Sequence, residues 1–170
     1  MNEILALIDQ IIEEHEWILP RVKTLQEMAS DPEAIDALEE AGADFMPARI
    51  NVVGQELQNM LELLEKVSQG LKAHFDREEK GLLAAFEKQG RMVFVSALRV
   101  LLSEHKEIKD RLARLKADAA ELVGGSLSRE VWEGKAYGLR AYLSHTCKLL
   151  REHAKSEQKL LLKMAEDLKE

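Results

Sequence analysis

Cysteine is almost absent: Cys147 stands alone in 170 residues. A lone thiol excludes an internal disulfide and any cysteine-rich zinc or iron–sulfur site within one chain. Proline and glycine are scarce, at three and nine, so the stretches between breaks are long and favour helices over strands. No apolar run approaches membrane-spanning length, and the opening MNEILALIDQ carries Glu3 and Asp9 where a signal peptide would be basic and then apolar. A cytoplasmic protein with no membrane partner is expected. No block of Lys or Arg forms a phosphate-binding stripe, and the formal charge of −7 is spread along the chain, which argues against nucleic acid as a partner. What is present is 46% hydrophobic and 32% charged, enough for one domain, residues 1–170, with a substantial core.

Apolar residues recur at threes and fours in four long segments. The first carries Ile4, Ile8, Ile11, Ile18, Val22 and Leu25, with Pro20 off that face as a possible kink. SDPE at Ser30–Glu33 reads as a capping box opening a short connecting helix that Gly42 stops. The second segment runs from about Met46 to Gln89 through Val53, Leu57, Met60, Leu64, Val67 and Leu71, and Gly90 ends it. The third, from about Arg91 to Val123, carries Phe94, Leu98, Leu101, Ile108, Leu112, Leu115, Ala119 and Leu122. The last begins near Ser126 or Ser128 and passes through Leu139, Tyr142, Leu149, Leu160 and Met164. The expected fold is all-α: an antiparallel four-helix bundle with a short extra helix between its first and second long helices.

Each apolar stripe has a gap, and a histidine fills it. His15 completes 11, 15, 18; His74 completes 71, 74, 78; His105 completes 101, 105, 108; His153 continues 149, 153, 157. With the seam taking roughly a quarter of helical positions, four of five histidines fall there by chance about once in fifty. Glu78 and Glu157 follow His74 and His153 at i+4, where side chains are neighbours on one helix face. A carboxylate in an apolar seam costs several kcal/mol unless a cation meets it.

Height along the bundle is an independent check. His74 lies 16 residues before Gly90 and His105 lies 15 after it, so these two face each other. His105 is 19 residues before Gly124 and His153 is 25 after Ser128, an offset of roughly 8 to 10 Å at helical rise. A lifted or irregular start to the last helix would absorb it. His145 fits the height better, but it lies about 80° round the helix from His153 and has no carboxylate at i+4. The angular criterion selects His153.

Four imidazoles and two carboxylates converging in a bundle core form a ligand set for two metal ions: His15, His74, Glu78, His105, His153 and Glu157. Each glutamate would bridge, each ion would keep two histidines, and an oxide or hydroxide bridge would leave one open position per ion. The mixed N and O donors suit iron or manganese and tolerate zinc. A ferritin-like di-iron oxidase needs Glu-x-x-His pairs, and none exists, because Ile12, Leu71, Leu102, Tyr142 and Leu150 precede the five histidines by three. The competing readings are a ligand-binding or sensing protein, an enzyme acting at the iron, and a metal-free interaction bundle. Binding is favoured over catalysis.

The pattern resembles the hemerythrin-like, or HHE cation-binding, family. The resemblance rests on His15 in EEHEWIL, His74 and Glu78 in HFDREE, His105 in SEHKEI, and His153 and Glu157 in HAKSE, and spans nearly the whole chain. It implies a non-haem di-iron centre in a four-helix bundle, with family roles in binding or sensing O2, NO or redox state, in iron handling, and in repair of iron centres or reduction of O2 or peroxide. Oxygen-carrying members place a second histidine where Lys109 stands and an aspartate at i+5 where Glu157 stands at i+4. That departure favours sensing or iron handling, with output through a separate protein partner, over reversible transport.

Overall fold

A computed structural model describes residues 2–29 and 51–170, the second stretch with side chains from 56 onward. The expected capping box at Ser30–Glu33, the connecting helix ending at Gly42, the helix start near Met46 and the side chain of Val53 lie outside the described residues. Those described form α1 (Asn2–Ala29), α2 (Asn51–Asp76), a π-helical turn (Arg77–Leu82), α3 (Leu83–Lys88), α4 (Met92–Leu102), α5 (His105–Val123) and α6 (Arg129–Lys169). Among the described residues there is no strand, and no helix is long and apolar enough to cross a membrane.

Four helical arms result: α1, α2 to α3, α4 to α5, and α6. α1 packs between α6 and α2, α2 against α5, and α5 against α6, which closes a four-sided bundle. Pro20 is exposed and α1 runs through it unbroken. The α3–α4 turn is tight because Gly90 takes φ +69°, a left-handed conformation that costs glycine little. The Gly90 and Arg91 N–H groups then cap α3 by donating to the Glu87 and Phe86 carbonyls at 3.0 and 3.3 Å.

The buried apolar side chains fall into two clusters. One contains Ile18, Val22 and Leu25 of α1, Met60 to Phe75 of α2, Ile108 to Leu122 of α5 and Trp132 to Leu150 of α6. The other contains Ile8 and Ile11, Leu82, Phe86, Val95, Leu98, and Leu161 to Leu168. His15, His74, Glu78, His105, His153 and Glu157 occupy the interval between them on every arm.

The helices depart from the expected pattern in three places. The second arm is not uniformly α-helical: at its π turn the Leu83 N–H reaches the Glu78 carbonyl, and the wider turn lets His74, Glu78, Leu82 and Phe86 recur every four residues as buried positions. The third arm is two helices, because the chain breaks at Ser103–Glu104, where Ser103 Oγ donates to the Val100 carbonyl at 2.6 Å. In α6 the buried stripe is Leu139, Leu143, Leu150, Leu161 and Met164, while Tyr142, Leu149 and Leu160 flank it half-buried. The apolar stripe there is wide, and both phases read as leucine-rich.

The offset between α5 and α6 is spread along their seam, not lodged at the start of α6, which is helical from Arg129. Trp132 Nε1 donates to the Leu122 carbonyl at 3.1 Å, Lys135 meets Glu121 at 2.6 Å, Arg111 Nε donates to Thr146 Oγ1 at 2.9 Å, and His105 Nε2 lies 3.2 Å from His153 Nε2. From Leu122 to His105 is 17 residues, and from Trp132 to His153 is 21. The buried indole therefore fixes the register from which the two histidines become level. Trp132→Phe keeps an aromatic ring there but gives up part of the buried indole's volume and leaves the Leu122 carbonyl without its donor, and urea unfolding should show a loss of about 1–3 kcal/mol or more.

Candidate metal centre

All six side chains anticipated from the sequence are buried and meet in one layer. His15 is 3% exposed, His74 1%, Glu78 0%, His105 1%, His153 5% and Glu157 1%. His145 is exposed, as the angular criterion required. Glu157 Oε2 lies 3.4 Å from His15 Nε2 and 3.5 Å from His153 Nε2, and its Oε1 lies 3.6 Å from His74 Nε2. Glu78 Oε2 lies 3.2 Å from His105 Nε2 and 3.8 Å from His74 Nε2. The two carboxylates thus stand among the four Nε2 atoms, each within reach of histidines on more than one helix. His15, His74 and Glu157 offer atoms all within 4.8 Å of one another, close enough to hold a metal ion.

Every imidazole is turned inward by an acceptor on its other nitrogen. The Nδ1–H of His74 donates to Glu14 Oε2 at 2.7 Å, that of His105 to Glu79 Oε1 at 2.8 Å, that of His153 to Glu104 Oε2 at 2.8 Å, and that of His15 to Gln158 Oε1 at 2.9 Å. Such partners fix the tautomer and orientation of a ligating ring. Sequence analysis did not single out these four. The available signal was position, since each is adjacent in the chain to one of the six inward groups yet serves a histidine of the next arm. Glu14 serves the α2 histidine, Glu79 that of α5, Glu104 that of α6, and Gln158 that of α1. The links close a ring round the bundle.

The inner carboxylates have the opposite problem. Both oxygens of Glu78, both of Glu157 and Nε2 of His15 have no hydrogen-bond partner in the ordinary donor geometry. Without a metal, protons must make up the deficit. Burial, reinforced by the neighbouring Glu157 carboxylate, pushes Glu78 up to about 11. Burial also opposes ionisation of Glu157, but the close approach of Glu78, His15 and His74 outweighs it and holds this carboxyl below its ordinary range. Burial disfavours a charged His15, but its contact with Glu157 prevails and raises its pKa. For His105 burial wins, helped by the proximity of His153, and lowers it to about 4. Bound cations would replace these protons, and an oxygen-and-imidazole set with satisfied outer nitrogens and unsatisfied inner atoms fits a metal.

The surroundings admit little else. Phe75 is fully buried and stacks on His105 with centroids 3.7 Å apart. A void of about 10 Å³ lies beside His15, His74 and Glu157 under Ile18, Leu71 and Leu150, near the least that holds one water molecule. Lys109 stays at the surface, 3.6 Å from Glu79, and does not enter the layer. His153 alone of the four histidines also borders an open cleft of about 360 Å³, whose rim carries Glu104, Glu107 and Glu152.

The family model of the hemerythrin HHE cation-binding domain matches residues 6–165. No match was found among the curated proteins or among the solved structures. The chain belongs to the hemerythrin HHE cation-binding family, and the cation-binding character of that family agrees with the unsatisfied buried donors of the layer.

Glu78 makes the metal-free protein pay for its site. A carboxyl whose folded pKa is raised contributes stability below its unfolded value of 4.5 and loses it as pH rises toward about 11. Keeping it protonated at pH 7 therefore costs about 3 kcal/mol at 1.36 kcal/mol per unit. Metal-free Glu78→Gln should be more stable than the metal-free parent at pH 7 by up to that amount. The gain should shrink toward zero as pH falls to about 4.5, as urea unfolding in chelator would show.

Proposed function

We propose that this member of the hemerythrin family holds two iron ions at the buried layer and that binding a small ligand there is its function. His15 and His74 would hold one ion and His105 and His153 the other, with Glu78 and Glu157 available to both. The observation that carries the reading is the pair of fully buried carboxylates with no ordinary donor to any of their four oxygens, set among four inward imidazole nitrogens. One divalent cation would balance both carboxylates by charge, so the count of two rests on placement: Glu157 gathers with His15 and His74 on one side, and Glu78 lies 3.2 Å from His105, itself 3.2 Å from His153, on the other. The donors alone suit manganese as well as iron and tolerate zinc.

Iron supplies reversible one-electron chemistry and affinity for O2, NO and small anions. The protein supplies the rest. The outer acceptors hold each ring on its Nδ1 tautomer, Phe75 closes one face of His105, and the apolar roof over the small void selects by size. So small a void excludes bulky substrates and leaves entry to the smallest ligands alone. The four protein ligands available to each ion leave room for that ligand, and Lys109, in salt contact with Glu79, adds no fifth. The functional class is sensing or redox and iron handling, with a separate protein partner as the reader of any signal.

Protein loaded anaerobically with Fe(II) should contain close to two ions per chain, and His74→Ala or Glu157→Ala should hold one or fewer. Exposure of the diferrous protein to O2, NO and azide should change its optical spectrum in at least one case. Full occupancy in both variants, or unchanged spectra with all three ligands, would refute the proposal.

A further inference from the structure

The ring of outer acceptors is not symmetric. Three of its members are carboxylates, and the fourth, on His15, is the neutral amide of Gln158. Their own partners sharpen the difference. Glu14 is in an ion pair with Arg77, so the half of the layer containing His15 and His74 has an amide and a neutralised carboxylate behind it. In the other half, Glu79 lies 3.6 Å from Lys109, but Glu104 forms no ion pair with a lysine or arginine among the described residues. Instead it faces the cleft beside Glu107 and Glu152. One half therefore has an uncompensated negative charge one imidazole away from its inner nitrogens, and the other has none.

We infer that the two halves bind metal unequally, the half with His105 and His153 first and the half with His15 and His74 second, and that Gln158 sets the difference. The inference rests on the dinuclear reading above. A carboxylate on the outer nitrogen makes an imidazole a stronger donor and adds negative charge near the cation, whereas an amide only orients the ring. Changes in such partners alter metal affinity by about 10–100-fold. Glu78 and Glu157 do not cancel the asymmetry, because each has contacts to both halves. Gln158 is a positioning residue whose neutrality keeps the second ion the more labile one. A centre built this way exchanges one ion while retaining the other.

The test is an anaerobic titration of the metal-free full chain with Co(II), followed by its visible absorption and its mononuclear paramagnetic signal. The parent should fill in two steps about tenfold or more apart, the first equivalent giving a mononuclear signal that the second removes by coupling. Gln158→Glu should tighten the weaker step roughly tenfold and leave the tighter one in place. Glu104→Gln, at a half-exposed position, should weaken the tighter step. His15→Ala should abolish the weaker step and keep the tighter one. Two equal steps or one cooperative step in the parent would overturn the inference while leaving the dinuclear reading intact. So would a Gln158→Glu effect confined to the tighter step, or no effect. Failure to bind Co(II) at all would overturn both.

Discussion

Everything in this bundle is arranged about two carboxylates that water cannot reach. Among the described residues, Glu78 and Glu157 are the two buried carboxylates, and the layer that holds them cuts the apolar core into two clusters that touch all four arms. An apolar layer of similar volume would be the more stable choice for a bundle. The layer is a cost that a cation would remove, and in the metal-free protein burial beside Glu157 raises the Glu78 carboxyl above its ordinary range.

A site in the middle of the bundle also constrains the backbone. Two consecutive residues on a regular helix point about 100° apart, which suits the pairing of an inward ligand with an acceptor for the neighbouring arm. Glu14 with His15 and Gln158 with Glu157 use regular helix in this way. The other two pairs sit at irregularities: Glu78 and Glu79 in the π turn, and Glu104 and His105 at the break between α4 and α5. π turns recur at functional sites because the extra residue re-aims side chains. Both irregular pairs serve His105, one as its outer acceptor and one as the residue itself.

Most of the fold was legible because its signal is periodic. The stripes of α1, α2 and α5, the stop at Gly90 and the four histidines filling stripe gaps all follow from spacing, and the inward placement of His153 over His145 followed from helix angle and the carboxylate at i+4. The irregular turns were not legible, since the residues REEKGL and SEHK are compatible with plain helix and the hydrogen-bond shifts depend on tertiary packing. The phase of α6 misled because leucines stand at both 149 and 150, and at 160 and 161. The outer ring escaped for a different reason: Glu14, Glu79 and Glu104 read as surface charge on single helices, and only the neighbouring arm makes them acceptors.

The same geometry explains how a mostly apolar bundle can hold a reactive centre without becoming porous. Each arm contributes both an inward group and an outward-reaching acceptor, so the layer is cross-linked at all four seams by bonds of 2.7 to 2.9 Å. Loosening any one seam would free an imidazole to rotate and expose the carboxylates. Three seams are closed by charge and are further held at Glu14 by Arg77 and at Glu79 by Lys109. The fourth is closed by an amide, and the cleft opens beside the Glu104 seam, where among the described residues no lysine or arginine pairs with the carboxylate. Tightness and access are thus assigned to different sides of one layer: the void under Leu71 and Leu150 admits only the smallest molecules, and the acidic rim beside His153 presents negative charge to whatever approaches from solvent. An anion would be repelled there and a cation drawn in, so the side of the layer that opens to solvent is also the side whose charge favours a cation.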